Sequence, residues 1–426
     1  MPKNSVIEVR AARTTPPRSL WLLGPALVAG VAYLDPGNVA SNMTAGAQYG
    51  YLLVWIVVAG NVMAWLIQYL SAKLGVVTGQ SLPEVLGQRL RRPWARRAYW
   101  LQAELVAMAT DLAEVIGGAV ALHLLFDIPL LLGGLITGAV SMGLLLVQSR
   151  RGPRPFEFVI IGLMAIITIG FVAGLFIAPP DPAGVVDGLV PRFQDTGSVL
   201  LAASILGATI MPHAIYAHSS LARDRFGAAS DSPAEAARIE TSRIRRLLTA
   251  TRWDVSIAML IAGSVNLSIL LLAAANLAGV DGTDSLEGAH AALAAGLGPV
   301  VATFFAVGLL ASGLASTSVG AYAGAEIMHG LLHVRIPLLA RRLVTLVPAL
   351  LILGLGVDPT LALVLSQVVL SFGIPFALIP LVALTAQRRT LGPWTNRAWT
   401  TAAGIVASVL LIALNGALLW LVLTGA

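Results

Sequence analysis

Cysteine is absent from all 426 residues, which removes disulfides, thiolate metal sites and thiol redox chemistry from consideration. Charge is scarce as well. Asp, Glu, Lys and Arg make up 11% of the chain against 57% hydrophobic residues, where a soluble domain carries roughly a quarter charged. With a mean hydropathy of +0.84, the chain has no room for a sizeable soluble domain. It also lacks a His-Glu-x-x-His pattern and any convincing Ser-His or Asp-Asp dyad within its apolar runs. An intramembrane hydrolase is thereby excluded, and no enzyme is expected. No small-residue cleavage site follows the first apolar run, so that run is read as retained rather than as a signal peptide. Lipidation and repeat signatures are missing, and Asn42-Met43-Thr44 and Asn266-Leu267-Ser268 read as chance sequons at membrane depth.

What the chain does have is apolar runs of about 20 residues along most of its length, each able to span ~30 Å of hydrocarbon as a helix. Eleven spans are expected, at about 20–45, 51–76, 98–124, 129–148, 155–178, 198–222, 254–278, 298–330, 341–356, 360–385 and 399–423. With the N-terminus in the cytoplasm, every one of the 27 basic residues except Arg192 falls on the cytoplasmic side. That is the bias of the positive-inside rule. The net charge of +6 is therefore topological. Anionic lipid is its natural neighbour, and nucleic acid is not a partner. The expectation is a multi-pass protein of the inner (cytoplasmic) membrane, N-terminus cytoplasmic and C-terminus external, with no obligatory protein partner. Residues 1–18 read as a disordered cytoplasmic tail, and about 223–253 as a short amphipathic helix plus linker.

Two spans are interrupted. Asp35-Pro36-Gly37-Asn38 breaks the first and Met211-Pro212-His213 the sixth. Proline has no N–H and disrupts bonding to the carbonyl four residues earlier, so Pro36 frees the carbonyl of Ala32 and Pro212 that of Ala208. Either proline alone reads equally well as an ordinary kink. Asp35 shifts that balance, because a mid-membrane carboxylate is expensive and usually functional. Grouping spans 1–5 (residues 19–178) and 6–10 (179–385) puts the breaks at matching positions of two units of opposite orientation. That is the pattern of an inverted repeat and its central binding site, with 386–426 holding an added eleventh span.

Asp35 and Asn38 offer hard oxygens, which would satisfy Mg²⁺ or Ca²⁺. Met211 would add a soft thioether, which favours transition metals, although methionine is ordinarily packing. Glu104, Asp111 and Glu114 share one face of the third span by their spacing, and Arg341 and Arg342 open the ninth. This set reads either as a proton relay or as a static ion-pair network. His213 follows the second break and is placed to exchange protons near neutral pH. His218 reads as a satisfied core histidine.

Asp-Pro-Gly-Asn and Met-Pro-His, in this order within an eleven-span chain, resemble the two signature motifs of the Nramp family of proton-coupled divalent-metal transporters. Ala109-Thr110-Asp111-Leu112-Ala113-Glu114 and Ser366-Gln367-Val368-Val369-Leu370-Ser371-Phe372 extend the resemblance over about residues 20–425. It implies an all-α leucine-transporter-type fold importing Mn²⁺ or Fe²⁺ with protons, and no permanently bound cofactor. The implied ligands are the side chains of Asp35, Asn38 and Met211, the carbonyls of Ala32 and Ala208, and Gln367, which reads equally as an interhelical hydrogen-bonding residue. Magnesium-transporting relatives lack the motif methionine. The chain departs from the pattern at Leu314, where the family often has Gln, and over Glu326-Ile327-Met328-His329, where Gln and then Glu are more usual. The rival on the same architecture is a Na⁺-coupled organic-solute symporter; a passive metal channel is the other alternative.

Overall fold

The computed structural model describes residues 25–151, 153–226, 233–334 and 337–424, and among them there is no strand. The expected tail, 1–18, lies outside the described residues. The chain opens with α1 (Pro25–Val31), which tightens into a single 3₁₀ turn at Ala32–Leu34 before α2 (Pro36–Tyr49). Next come α3 (Val54–Thr78), α4 (Leu82–Arg89), α5 (Pro93–Phe126), α6 (Leu130–Arg151) and α7 (Pro153–Ile177). After α8 (Pro182–Asp187), the second interrupted pair is α9 (Thr196–Thr209) and α10 (Pro212–Phe226). The remainder is α11 (Pro233–Asn276), α12 (Leu286–Leu297), α13 (Pro299–Leu332), α14 (Leu338–Gly354), α15 (Pro359–Thr385), α16 (Arg388–Leu391) and α17 (Ala398–Thr424).

Local sequence explains many of the boundaries. Prolines open α2, α5, α10, α13 and α15, where the missing N–H is no loss and φ is already helical. Gly79 closes α3 at φ +64, a left-handed conformation that glycine adopts without steric cost. Among the described residues, eight helical stretches, with α9 and α10 taken together as Thr196–Phe226, are long and apolar enough to cross a bilayer, and Pro25–Leu34 and Leu130–Leu146 are shorter apolar helices. The expected span at 341–356 falls on α14, which has 17 residues.

One expectation needs correction. The described part of the 223–253 segment is not a short separate helix; residues 227–232 lie outside the described residues. From Pro233 onward it is one helix continuous with the seventh span, 44 residues in all, because no glycine or proline interrupts the Ala-, Arg- and Leu-rich stretch before Gly263. The basic stretch between the second and third spans is partly helical. It contains α4, started by a reciprocal capping box between Ser81 and Glu84, the Ser-x-x-Glu signal of a helix N-terminus.

α13 runs along α5 and α7, α11 along α2 and α3, and α15 along α9 and α5. Close approach depends on small residues. A Cβ on Gly117 would collide with the ring of Pro36, and one on Gly207 with the backbone carbonyl of Gln367. The outer faces are apolar and open, with Phe158 76%, Phe176 85% and Leu423 82% exposed, as a surface bathed in lipid should be. Asn42 and Asn266 are fully buried, so neither sequon can accept a glycan.

Gly207→Ala is expected to lose about 1–3 kcal/mol through overpacking, seen as a lowered thermal midpoint in detergent. Gly143→Ala, where nothing lies within 4 Å of the added Cβ, should match the parent.

Candidate functional site

At the first break Asp35 is extended, with φ −72 and ψ 165, and acts as the N-cap of α2. Its Oδ1 accepts from the Asn38 N–H at 2.7 Å and from Asn38 Nδ2 at 2.9 Å. The cap satisfies orphan donors of the helix start and places a negative charge at the positive end of the dipole. The unwound carbonyls are bound from neighbouring helices. Asn266 Nδ2 of α11 donates to the Tyr33 carbonyl at 3.0 Å, and the Ser312 hydroxyl of α13 donates to that of Leu34.

The second break runs from Thr209 through Ile210 and Met211 to Pro212. The Ala208 carbonyl, four residues before the proline, accepts from Asn38 Nδ2 at 3.0 Å. One side-chain amide therefore joins the carboxylate of one break to the carbonyl of the other. From α15, Gln367 Nε2 reaches Asp35 Oδ2 at 3.3 Å and Ser366 Oγ at 3.2 Å. This approach requires Gly37, since a Cβ there would run into the Gln367 side chain. Asp35, Asn38, Met211, Ala32, Ala208 and Gln367 are all fully buried.

Both amides direct their NH₂ groups to oxygen acceptors, which leaves Asn38 Oδ1 and Gln367 Oε1 buried with no hydrogen-bond partner. An unpaired buried acceptor costs about 1–3 kcal/mol, so two beside a carboxylate form an arrangement that wants a cation. Among the described residues no group of three or more His, Asp or Glu is placed to hold a metal. What the two breaks and α15 bring together instead is one carboxylate and two unpartnered amide oxygens, with Met211 fully buried in the second break.

A second polar cluster lies on α5 and α14. Arg341 pairs with Glu104 at 2.9 Å and Asp111 at 3.4 Å. Arg342 pairs with Asp111 at 3.0 Å and Glu114 at 3.2 Å, and donates to Ser141 Oγ at 3.1 Å and Thr317 Oγ1 at 3.3 Å. All five residues named from the sequence meet. Space for them comes from α13, where a Cβ on Gly324 would strike the Arg341 guanidinium. His213 Nδ1 lies 3.2 Å from Thr110 Oγ1, beside Asp111, and its Nε2 has no partner.

Some residues escaped the sequence reading. Asn266, Ser312 and Gly207 carry no local signal, whereas Thr110 sat inside a motif already singled out. His218 is more than a satisfied core histidine: its Nδ1 lies 2.6 Å from Gln68 Oε1, and Gln68 donates to the Tyr33 hydroxyl, so the ring is chained to the first break. The departure at Glu326 lies away from the site, paired with Arg223 at 2.9 Å.

Comparison with known proteins gives the family. The family described as "Natural resistance-associated macrophage protein-like" (Nramp) matches residues 26–421. The divalent metal cation transporter MntH of Mycobacterium tuberculosis is 60% identical over 413 residues, covering 97% of this chain and 94% of the relative. That of Deinococcus radiodurans is 46% identical over 412 residues, 96% of this chain and 91% of the relative. A crystal structure of the Eremococcus coleocola manganese transporter superposes with TM-score 0.83 at 31% identity, covering 97% of this chain and 90% of that one. Mhp1, a nucleobase-cation-symport-1 family transporter, is similar in fold alone, at TM-score 0.55 and 14% identity over 94% of this chain and 93% of that one. With two proline-broken helices joined through Asn38 and a match along almost its whole length, the chain belongs to the Nramp family.

Proposed function

We propose that the chain carries divalent transition-metal ions, Mn²⁺ or Fe²⁺, into the cell together with protons, by alternating access to the site between the broken helices. The observation that carries this is the pair of unpartnered amide oxygens, Asn38 Oδ1 and Gln367 Oε1, beside the buried Asp35 carboxylate. The relatives named as divalent metal cation transporters support the substrate class. Met211 supplies the preference for transition metals, because a thioether gains little from Mg²⁺ or Ca²⁺. The carbonyls of Ala32 and Ala208 complete the shell as the break changes shape, Ala208 releasing the Asn38 amide as it does so. A membrane potential negative inside favours entry by ~2.3 kcal/mol per charge for each 100 mV.

Protons take the α5 side. Asp35 gives up its proton as metal arrives. His213, with one ring nitrogen beside Thr110 and the other unpartnered, passes it toward Asp111, Glu114 and Glu104. Arg341 and Arg342 keep that cluster from accumulating uncompensated negative charge. A Na⁺-coupled solute symporter would use the same fold, but a site of one carboxylate, two amide oxygens and a thioether offers little to an organic anion.

Three outcomes are expected in proteoliposomes carrying an internal pH dye. Asp35→Ala abolishes most Mn²⁺ uptake; near-normal uptake would remove Asp35 from the site. Met211→Ala keeps Mn²⁺ uptake but admits Ca²⁺ or Mg²⁺ more readily, and unchanged selectivity would take the thioether out of the mechanism. Asp111→Asn lowers the acidification that accompanies Mn²⁺ entry more than it lowers entry itself, whereas equal losses would make the cluster purely structural.

A further inference from the structure

The basic end of the bundle has a feature that neither the metal site nor the proton route uses. No acidic residue occurs between Glu84 and Glu104, and none follows Asp358. The structure brings these two acid-free segments together. The Arg89 guanidinium of α4 donates to Gln387 Oε1 at 2.7 Å and to Thr390 Oγ1 at 2.7 Å, which pins α16 beside the end of α4, four residues before α5 begins. Around this joint Arg91, Arg92, Arg97, Arg388, Arg389 and Arg397 are exposed, and none has a carboxylate partner among the described residues.

Charge of one sign is expected at this end of the bundle. Two unsatisfied donors are not. Arg96 Nε and Trp100 Nε1 are buried and have no hydrogen-bond partner, although buried N–H groups are nearly always paired. They stand four residues apart on α5 and hence on one face. Both can only donate, so what satisfies them must be an acceptor. Bordering them on α5 is a stripe facing outward: Trp94 66% exposed, then Arg97, then Leu101 52% and Leu105 55% exposed. In sequence order that is an interfacial aromatic, a cation and an apolar track, which matches the order of headgroup and acyl chain in a bilayer leaflet.

We propose that this end of α5 binds one anionic phospholipid. Its phosphate accepts from Arg96 Nε and Trp100 Nε1, its acyl chain lies on Leu101 and Leu105, and the arginines of the α4–α5 turn and of α16 form the cationic basin around the headgroup. The apolar track selects a lipid over a free phosphate, and the basin selects an anionic headgroup over a zwitterionic one. The proposal rests on the membrane reading of the chain and is independent of which ion it carries.

The test is native mass spectrometry of the full chain in detergent, titrated with phosphatidylglycerol or phosphatidylcholine, with Mn²⁺ left out. Wild type should retain one phosphatidylglycerol in preference to phosphatidylcholine. Arg96→Gln should weaken that retention about fivefold, the worth of one interfacial cation. Trp100→Phe, which keeps the ring and removes the donor, should weaken it as well, while Arg397→Gln at the rim should change it less. Equal retention of the two lipids would overturn the proposal, as would unaltered retention in both Arg96→Gln and Trp100→Phe. An equal effect from Arg397→Gln would reduce the feature to diffuse electrostatics and overturn the built site. Displacement by millimolar inorganic phosphate would assign the donors to a free anion instead.

Discussion

Asn38 holds the two interrupted helices to one another. Its amide gives hydrogen to Asp35 at the start of α2 and to the Ala208 carbonyl at the end of α9, and its backbone N–H completes the cap. A carboxylate at this depth would be untenable alone. Here it sits on a helix N-terminus and faces two amide donors, which offset much of its desolvation. The surrounding small residues follow from that arrangement. Gly37 admits Gln367, Gly207 lets α9 touch the α15 backbone, and Gly117 lets α5 close over Pro36.

The same arrangement sets the character of the binding site. Every amide hydrogen near Asp35 that is bonded goes to an oxygen, so the unspent capacity is all acceptor. A site built for permanent tenancy would gather several anionic or imidazole ligands, and none is gathered here among the described residues. Under the proposed function, a shell of one charge and several dipoles would bind strongly enough to strip water and weakly enough to release, the compromise that conduction through any selective pathway requires.

The acidic face of α5 answers to a different constraint. Three carboxylates and two guanidinium groups are interlocked at 2.9–3.4 Å in a largely buried cluster. Buried ion pairs contribute little net stability compared with apolar packing, yet removing one partner is costly. Gly117, three residues beyond Glu114 on α5, packs on Pro36, so the helix that carries the acids also touches the break that carries Asp35.

Proline chemistry, bilayer thickness and helical periodicity are local rules, and what they govern was readable in the chain. The spans, the two breaks, the freed carbonyl of Ala208 and the shared face of Glu104, Asp111 and Glu114 follow from residues a few positions apart. Even the Ser81–Glu84 cap that begins α4 was there to be read. The partners of the freed groups were not. Asn38 and Ala208 are separated by 170 positions, Asn266 and Tyr33 by 233, and Ser312 and Leu34 by 278. A hydrogen bond between such residues has no periodicity to announce it. The sequence alone determined that two helices must break around a carboxylate and a thioether. Only the tertiary structure decided that one amide would bridge the breaks and leave its oxygen free, because satisfying a buried carbonyl depends on which helix packs across from it.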